Sequence, residues 1–313
     1  MKKSTFIFIS IFILAGCVSI AQHRVASTPE TVRALTSEWT GERLPDGRPY
    51  VSDNLLERLK DIVMEEAWVI LRNNGYETQY EGNWMMINPE NPVMTGRVLT
   101  AQYMPERPDF RDKIREQGHR EGHSTTGMTN SWPINLLSEG DVYVADSYGK
   151  IVGGTLIGDN LGNAIYRNSN NGVIFYGSVR DVAGLREIEG FNGWVKGQDP
   201  SYIDQVMLTS INAPIRIGRA TVLPGDVVLA NEFGIIFIPA HMAETVVITG
   251  EFIALRDEFG IQRIRDGVYL PGQIDSEWSD EIRQDFLRWL DEHPDKLPMS
   301  REELDEFMKD RVW

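Results

Sequence analysis

The stretch 153–181, GGTLIGDNLGNAIYRNSNNGVIFYGSVRD, constrains the fold more than any other part of the chain. Two polar clusters bracket it, Gly158-Asp159-Asn160-Leu161 and Arg180-Asp181, with 18 residues between them. The intervening pattern reads as a short helix over 161–170, a break at Asn171-Gly172 and a buried strand over 173–176. A βαβ unit of this size returns the end of its second strand to the end of its first. Asp159, at the helix start, and Arg180-Asp181, just past the strand, are therefore expected at one edge of a sheet. Open α/β sheets place ligands at such an edge. The helix start also offers unpaired backbone N–H groups to an anion.

Around this stretch the chain alternates short strands with turns. Strands are expected over 93–104, 142–145, 191–196, 214–217, 220–222, 227–230 and 235–238. Apolar residues at helical spacing from Leu55 to Ile70 predict one helix that begins at Ser52-Asp53 and ends at Asn73-Asn74-Gly75. A further helix is expected from Asp109 to about Gly118, then a Gly-rich loop, and another over 239–258 with Gly250 as its weak point. No G-x-G-x-x-G follows a strand and no P-loop is present, so a nucleotide-binding doubly wound sheet is not indicated. His119 and His123, four apart, would share a helix face as metal ligands do. Gly118 and Gly122 argue against a stable helix there, so a solvated or substrate-rim loop is the expected state, with a ligand role as the alternative.

The pattern Gly-Asp-Asn-Leu, 18 residues, Arg-Asp resembles the RraA-like family. GDVYVADSYGK (140–150) resembles that family's strand before the site, and IGRATVLPGDVVLANEFGIIFIP (217–239) its closing strands. Together they cover roughly residues 93–250. The resemblance implies a compact, β-rich α/β domain of the swivelling β/β/α type over 49–250. Residues 251–313 form a helical C-terminal extension. There, Ser279 opens an amphipathic helix, and Ser300-Arg301-Glu302-Glu303 is a capping box for the last one.

The family includes metal-dependent aldolases of 4-hydroxy-2-oxo acids, and also ribonuclease regulators. By resemblance, Asp181 binds a divalent cation, Mg2+ in first place and Mn2+ in second. Arg180 and the backbone of Gly158, Asp159, Asn160 and Leu161 hold a small 2-oxo acid. A hard cation that keeps several waters suits a single carboxylate. Arg180 suits a ketone oxygen that gains charge, and Asp159 is the candidate for proton transfer. Glu187 and Glu232 are candidates for further acidic groups. The expected activity is a lyase, by retro-aldol cleavage or oxaloacetate decarboxylation, and the alternative is a non-catalytic scaffold of the cell envelope. A homotrimer or hexamer is expected on the same ground.

Net charge decides one class of partner. With 31 Lys and Arg against 46 Asp and Glu, the chain carries a formal −15, which repels nucleic acid. The single cysteine, Cys17, excludes an intramolecular disulfide and has another explanation. Met1-Lys2-Lys3, an apolar run over 6–14 and Leu14-Ala15-Gly16-Cys17 resemble a lipoprotein signal. Residues 1–16 would be removed, Cys17 lipidated, and 17–48 would act as a tether, with Thr28-Pro29-Glu30-Thr31 as the first helix start. With Val18 after Cys17, the expected location is the outer membrane, facing the periplasm.

Overall fold

The computed structural model describes residues 24–309. Cys17 and the export signal over 1–16 lie outside these residues. The strands are β1 (Tyr80–Glu81), β2 (Met85–Met86), β3 (Met94–Pro105), β4 (Asp141–Asp146), β5 (Val173–Val179), β6 (Gly193–Gln198), β7 (Val206–Ile211), β8 (Ile215–Ile217), β9 (Ala220–Val222), β10 (Val227–Asn231) and β11 (Gly234–Ile238). The helices are α1 (Pro29–Leu35), α2 (Asp53–Leu59), α3 (Met64–Asn73), α4 (Pro108–Arg120), α5 (Asp159–Ser169), α6 (Val182–Arg186), α7 (Ala243–Arg265), α8 (Pro271–Ile274), α9 (Asp280–Glu292) and α10 (Arg301–Met308).

One mixed sheet organises them, in the order β1-β11-β10-β3-β4-β5-β6-β2, with β7 also paired to β3. Strands β3 to β6 run parallel, and the others join antiparallel. Side-chain alternation splits the strands between two faces. Leu99, Ala101, Tyr103, Tyr143 and Phe175 pack with Ile165 of α5, Leu185 of α6 and Ile114 of α4. Val98, Val142, Val144, Ile174 and Phe237 face the β8–β9 hairpin, through Ile215, Ile217 and Val222. Hairpin, sheet and helices thus form three layers, the β/β/α arrangement expected. Beyond β11, α2, α3 and α7 close a further core, and α7 to α10 build a helical C-terminal region around Phe259, Phe286 and Trp289.

Several expectations need correction. The single helix over 53–73 is two, because the chain turns at Lys60–Val63 to bring both α2 and α3 against α7. Helix α7 runs unbroken through Gly250, which lies against Ile62, and continues to Arg265. The expected tether over 17–48 is a packed segment from Val25 onward. Val25 is fully buried, and the backbone N–H groups of Val25 and Ala26 donate to the Glu121 carboxylate at 3.0 Å each. Thr28 then caps α1, with Pro29 at its first position.

Helix α4 also runs to Arg120, past Gly118. A Cβ at Gly118 would stand 2.2 Å from the Trp132 ring, so the glycine permits a close approach and does not end the helix. His123 stacks on the Trp132 ring at 4.8 Å and 9°, and His119 meets the same ring edge-on at 6.0 Å. Burial pushes the His123 imidazole below the usual range. The two histidines therefore both contact one indole, and no group of three or more metal-ligating side chains occurs among the described residues.

A buried charge network was not anticipated. Arg48, with no exposed surface, donates to Asp46 at 2.6 Å and to Asp141, equally buried, at 2.8 Å. Arg97 spans Asp53 and the carbonyl oxygens of Val51 and Glu139. The network ties the segment before α2 to the starts of β3 and β4.

Candidate active site

The unit β4–α5–β5 is parallel, with Tyr143 opposite Val173 and Asp146 opposite Tyr176. Between β4 and α5 the chain does not turn directly into the helix. Residues 147–158 run alongside β5 in the same direction, with Thr155 opposite Ser178, held by Leu156 N to Ser178 O at 2.9 Å and by the Ser178 hydroxyl to Ile151 O at 2.8 Å. The Thr155 hydroxyl fastens the same loop to Ser201 O. This path delivers Gly158, the N-cap of α5, to the residue after β5: Arg180 N donates to Ile157 O at 2.9 Å.

Here the two polar clusters meet. Asp181 adopts the left-handed conformation, φ 54° and ψ 40°, as the N-cap of α6. For a residue with a Cβ this costs about 1–2 kcal/mol. Backbone strain of this kind collects where function needs a fixed geometry. It folds the Asp181 carboxylate back beside Gly158: a Cβ on Gly158 would lie 2.3 Å from Asp181 Oδ2 and 3.2 Å from Arg180 Nε. Arg180 Nε stands 3.5 Å from that same Oδ2. Both side chains keep about two-fifths of their surface exposed, at 41% and 44%. Among the described residues the guanidinium otherwise meets only the Tyr202 ring, at 5.9 Å from its centroid. It is free to receive a ligand's oxygens.

Asp159 is the first residue of α5. Its Oδ1 accepts from Asn160 N at 2.7 Å. A cavity of about 310 Å³ opens in front of Arg180, floored by Ile157–Leu161. Thus Gly158, Asp159, Asn160, Leu161 and Arg180 all line one cavity, and the Asp181 carboxylate sits at its edge beside Gly158. Glu232 is elsewhere. It lies on the β10–β11 turn, near the start of β3, whereas Arg180 follows the end of β5. Glu187 is exposed, at the C-cap of α6.

The opposite wall of the cavity comes from two segments that the sequence did not single out. Met128, Asn130 and Ser131 precede β4, and Tyr202 and Ile203 precede β7. Asn130 is buried and donates to Leu156 O at 2.6 Å, which fixes the loop that carries Gly158. The only local signal was the Gly-, Ser- and Thr-rich composition of 122–131.

Comparison with known proteins agrees with this architecture. Residues 49–237 match the family model RraA-like, described as Aldolase/RraA. Protein DlpA of Legionella pneumophila is 28% identical over 179 residues, 56% of this chain but only 26% of that protein. A Stutzerimonas stutzeri protein with the provisional name 4-hydroxy-4-methyl-2-oxoglutarate aldolase is 34% identical over 110 residues, covering 35% of this chain and 67% of that one. Among solved structures, Streptomyces coelicolor RraAS2, from the RNase ES inhibitor RraA family, superposes with a TM-score of 0.58 at 25% identity, over 68% of this chain and all of that one. An uncharacterized Pseudomonas syringae protein gives the same TM-score at 17% identity, over 78% of this chain, and supports the fold alone. With the family model spanning the sheet and the whole 158–181 unit, the chain belongs to the RraA-like (Aldolase/RraA) family.

Proposed function

We propose that the protein is a divalent-metal-dependent lyase of 2-oxo acids. One observation carries the reading: the Arg180 guanidinium and the Asp181 carboxylate stand together at the mouth of a cavity floored by the N-terminus of α5. The residues present fit a hard, largely hydrated cation, because Asp181 offers one accessible carboxylate, pinned by a strained backbone, with room for water around it. Asp181 would hold the ion, and the bound ion would supply Lewis-acid polarisation of the 2-oxo group.

The chain's own groups divide the remaining work. The first N–H groups of α5 bind the substrate carboxylate. Arg180 donates to the ketone oxygen as it gains charge. For a 4-hydroxy-2-oxo acid, Asp159 takes the 4-hydroxyl proton, the C3–C4 bond breaks, and its electron pair flows into an enolate. That enolate is reprotonated at C3 to give a pyruvate-type product. For oxaloacetate, loss of CO2 gives the same enolate, so both substrates suit the site.

The test is pyruvate release from oxaloacetate and from 4-hydroxy-4-methyl-2-oxoglutarate, with Mg2+ or Mn2+ and with EDTA. Asp181→Ala serves as the blank, since an exposed carboxylate after β5 contributes little to the core. Absence of EDTA-sensitive release from either substrate ends the lyase reading. We further propose a homotrimer or hexamer, which sedimentation at micromolar concentration tests. Anchoring at the outer membrane through Cys17 is likewise proposed.

A further inference from the structure

A second cavity, of about 280 Å³, lies between α1, the residues after α3 and the residues before β10. Strand register puts it toward the other end of the sheet from Arg180: Asp226 precedes Val227, which pairs with Arg97 near the start of β3. Its lining is rich in hydrogen-bond acceptors. Asp226 is 4% exposed. Its Oδ2 accepts from Leu223 N at 2.8 Å, and Oδ1 has no partner among the described residues. Gln79 is 7% exposed, and its amide nitrogen donates to the carbonyl oxygens of Thr221 and Phe237, at 3.1 Å each. Two carbonyl acceptors fix the orientation of that amide, so the atom left without a partner is Oε1, an acceptor.

The rest of the lining points the same way. Glu38 adds a carboxylate, and Trp39 and Tyr76 add aromatic surface. His241 shares its Nε2 with the Tyr76 hydroxyl at 2.9 Å. Arg43 stands behind this wall, committed to the carbonyl oxygens of Thr36, Trp39 and Gly47. Neither of these two oxygens is cut off from solvent, so both stand open to a donor that enters the cavity. Aromatic walls beside acids favour a cationic one.

We propose that this cavity binds a primary ammonium group, its three N–H donors shared among Asp226, Gln79 and Glu38, with the alkyl stem against Trp39 and Leu35. The site is separate from the lyase reading and stands or falls without it. It has a pH signature. Burial pushes the Asp226 carboxyl up to about 7, against the pull of the Leu223 N–H. The ionised form, which the ammonium needs, therefore dominates above that pH. Between pH 8 and pH 6 its fraction falls about tenfold, and affinity falls with it. Glu38, Tyr76 and His241 are the other titratable groups on the cavity wall, with Arg43 behind it. Because these groups share the wall, the part played by Asp226 is tested by substitution.

The experiment is calorimetric titration of the whole protein with propylammonium chloride at pH 8 and pH 6, with propionamide as the uncharged isostere. The expected result is saturable propylammonium binding at pH 8, about tenfold weaker at pH 6 and lost in Asp226→Asn. That variant keeps an acceptor for Leu223 N, and its thermal unfolding is measured alongside. N-acetyl-lysinamide, titrated in parallel, separates two sources of the same chemistry: tighter binding than propylammonium assigns the site to a protein lysine, and weaker binding to a free amine. Propionamide binding as tightly as propylammonium to the unaltered protein overturns the proposal, whatever the fate of the variant. So does unchanged binding in Asp226→Asn, or no saturable binding of any amine.

Discussion

Gly158→Ala tests whether the position of the Asp181 carboxylate matters. The backbone at Gly158, φ −120° and ψ −166°, is extended and accepts any L-residue, so the loop takes no strain from the substitution. The methyl group does create a conflict. It would stand 2.3 Å from Asp181 Oδ2, where ordinary contact begins at 3.4 Å, so the carboxylate must withdraw by about 1.1 Å. Arg180 Nε, 3.2 Å from the same point, must yield by a few tenths of an ångström. A misplacement of about 1 Å at a reacting centre typically costs about 10²-fold in rate. Stability should change little. Alanine in place of an N-cap glycine costs about 1 kcal/mol, or about 1–2 °C in Tm for a chain of this size. The assay pairs Mn2+ binding, followed by paramagnetic resonance, with pyruvate release from oxaloacetate. The expected variant is folded, binds Mn2+ poorly and turns over about 10²-fold slower. Unchanged Mn2+ affinity together with turnover within about threefold of the parent would refute the reasoning.

Arg180→Lys keeps the charge but loses the planar fork, and turnover should fall by roughly 10²–10³-fold with Mn2+ binding retained. Asp159→Asn keeps the acceptor for Asn160 N, so it should bind Mn2+ and pyruvate normally yet turn over about 10²–10⁴-fold slower; single-turnover kinetics separates the two effects. Arg48→Met strands the fully buried Asp141, whose other cation, Arg97, stays 4.0 Å away, and should cost about 3–5 kcal/mol in urea unfolding. Cys17→Ser should leave an unprocessed precursor or release the protein from membranes, read by fractionation and mass; normal processing and anchoring would refute lipidation.

The parts of the site legible in the sequence are those written in local pattern. Gly158-Asp159 announces a helix start, and the apolar run 173–176 announces the strand that the fold extends to Val179, so their meeting follows from βαβ geometry. What lay hidden depends on residues distant in sequence. Glycine at 118 reads as a helix breaker until Trp132, fourteen positions on, occupies the space a side chain would take. Arg48 carries no local signal of its role, which depends on Asp141, 93 positions away in the chain. The second wall of the cavity, from Asn130 and Tyr202, has no motif, because its residues are brought in by β3, β4 and β7, not by their neighbours in the chain. The corrections to the helices share that cause. The break between α2 and α3, and the passage of α7 through Gly250, are both set by packing against each other.

Helix α7 has a consequence for how the protein can be cut. At 23 residues it is about 34 Å long. Near its start Val246 and Val247 pack against the sheet-side core, and farther along Phe252, Leu255 and Phe259 enter the core of the C-terminal helices. One stiff rod is therefore a splint across both halves of the molecule. A chain ended after Arg265 would keep the splint and lose its outer covering, leaving a stripe of two phenylalanines and a leucine open to water. Such a truncation should aggregate or self-associate even though the entire family-matched region, 49–237, is intact.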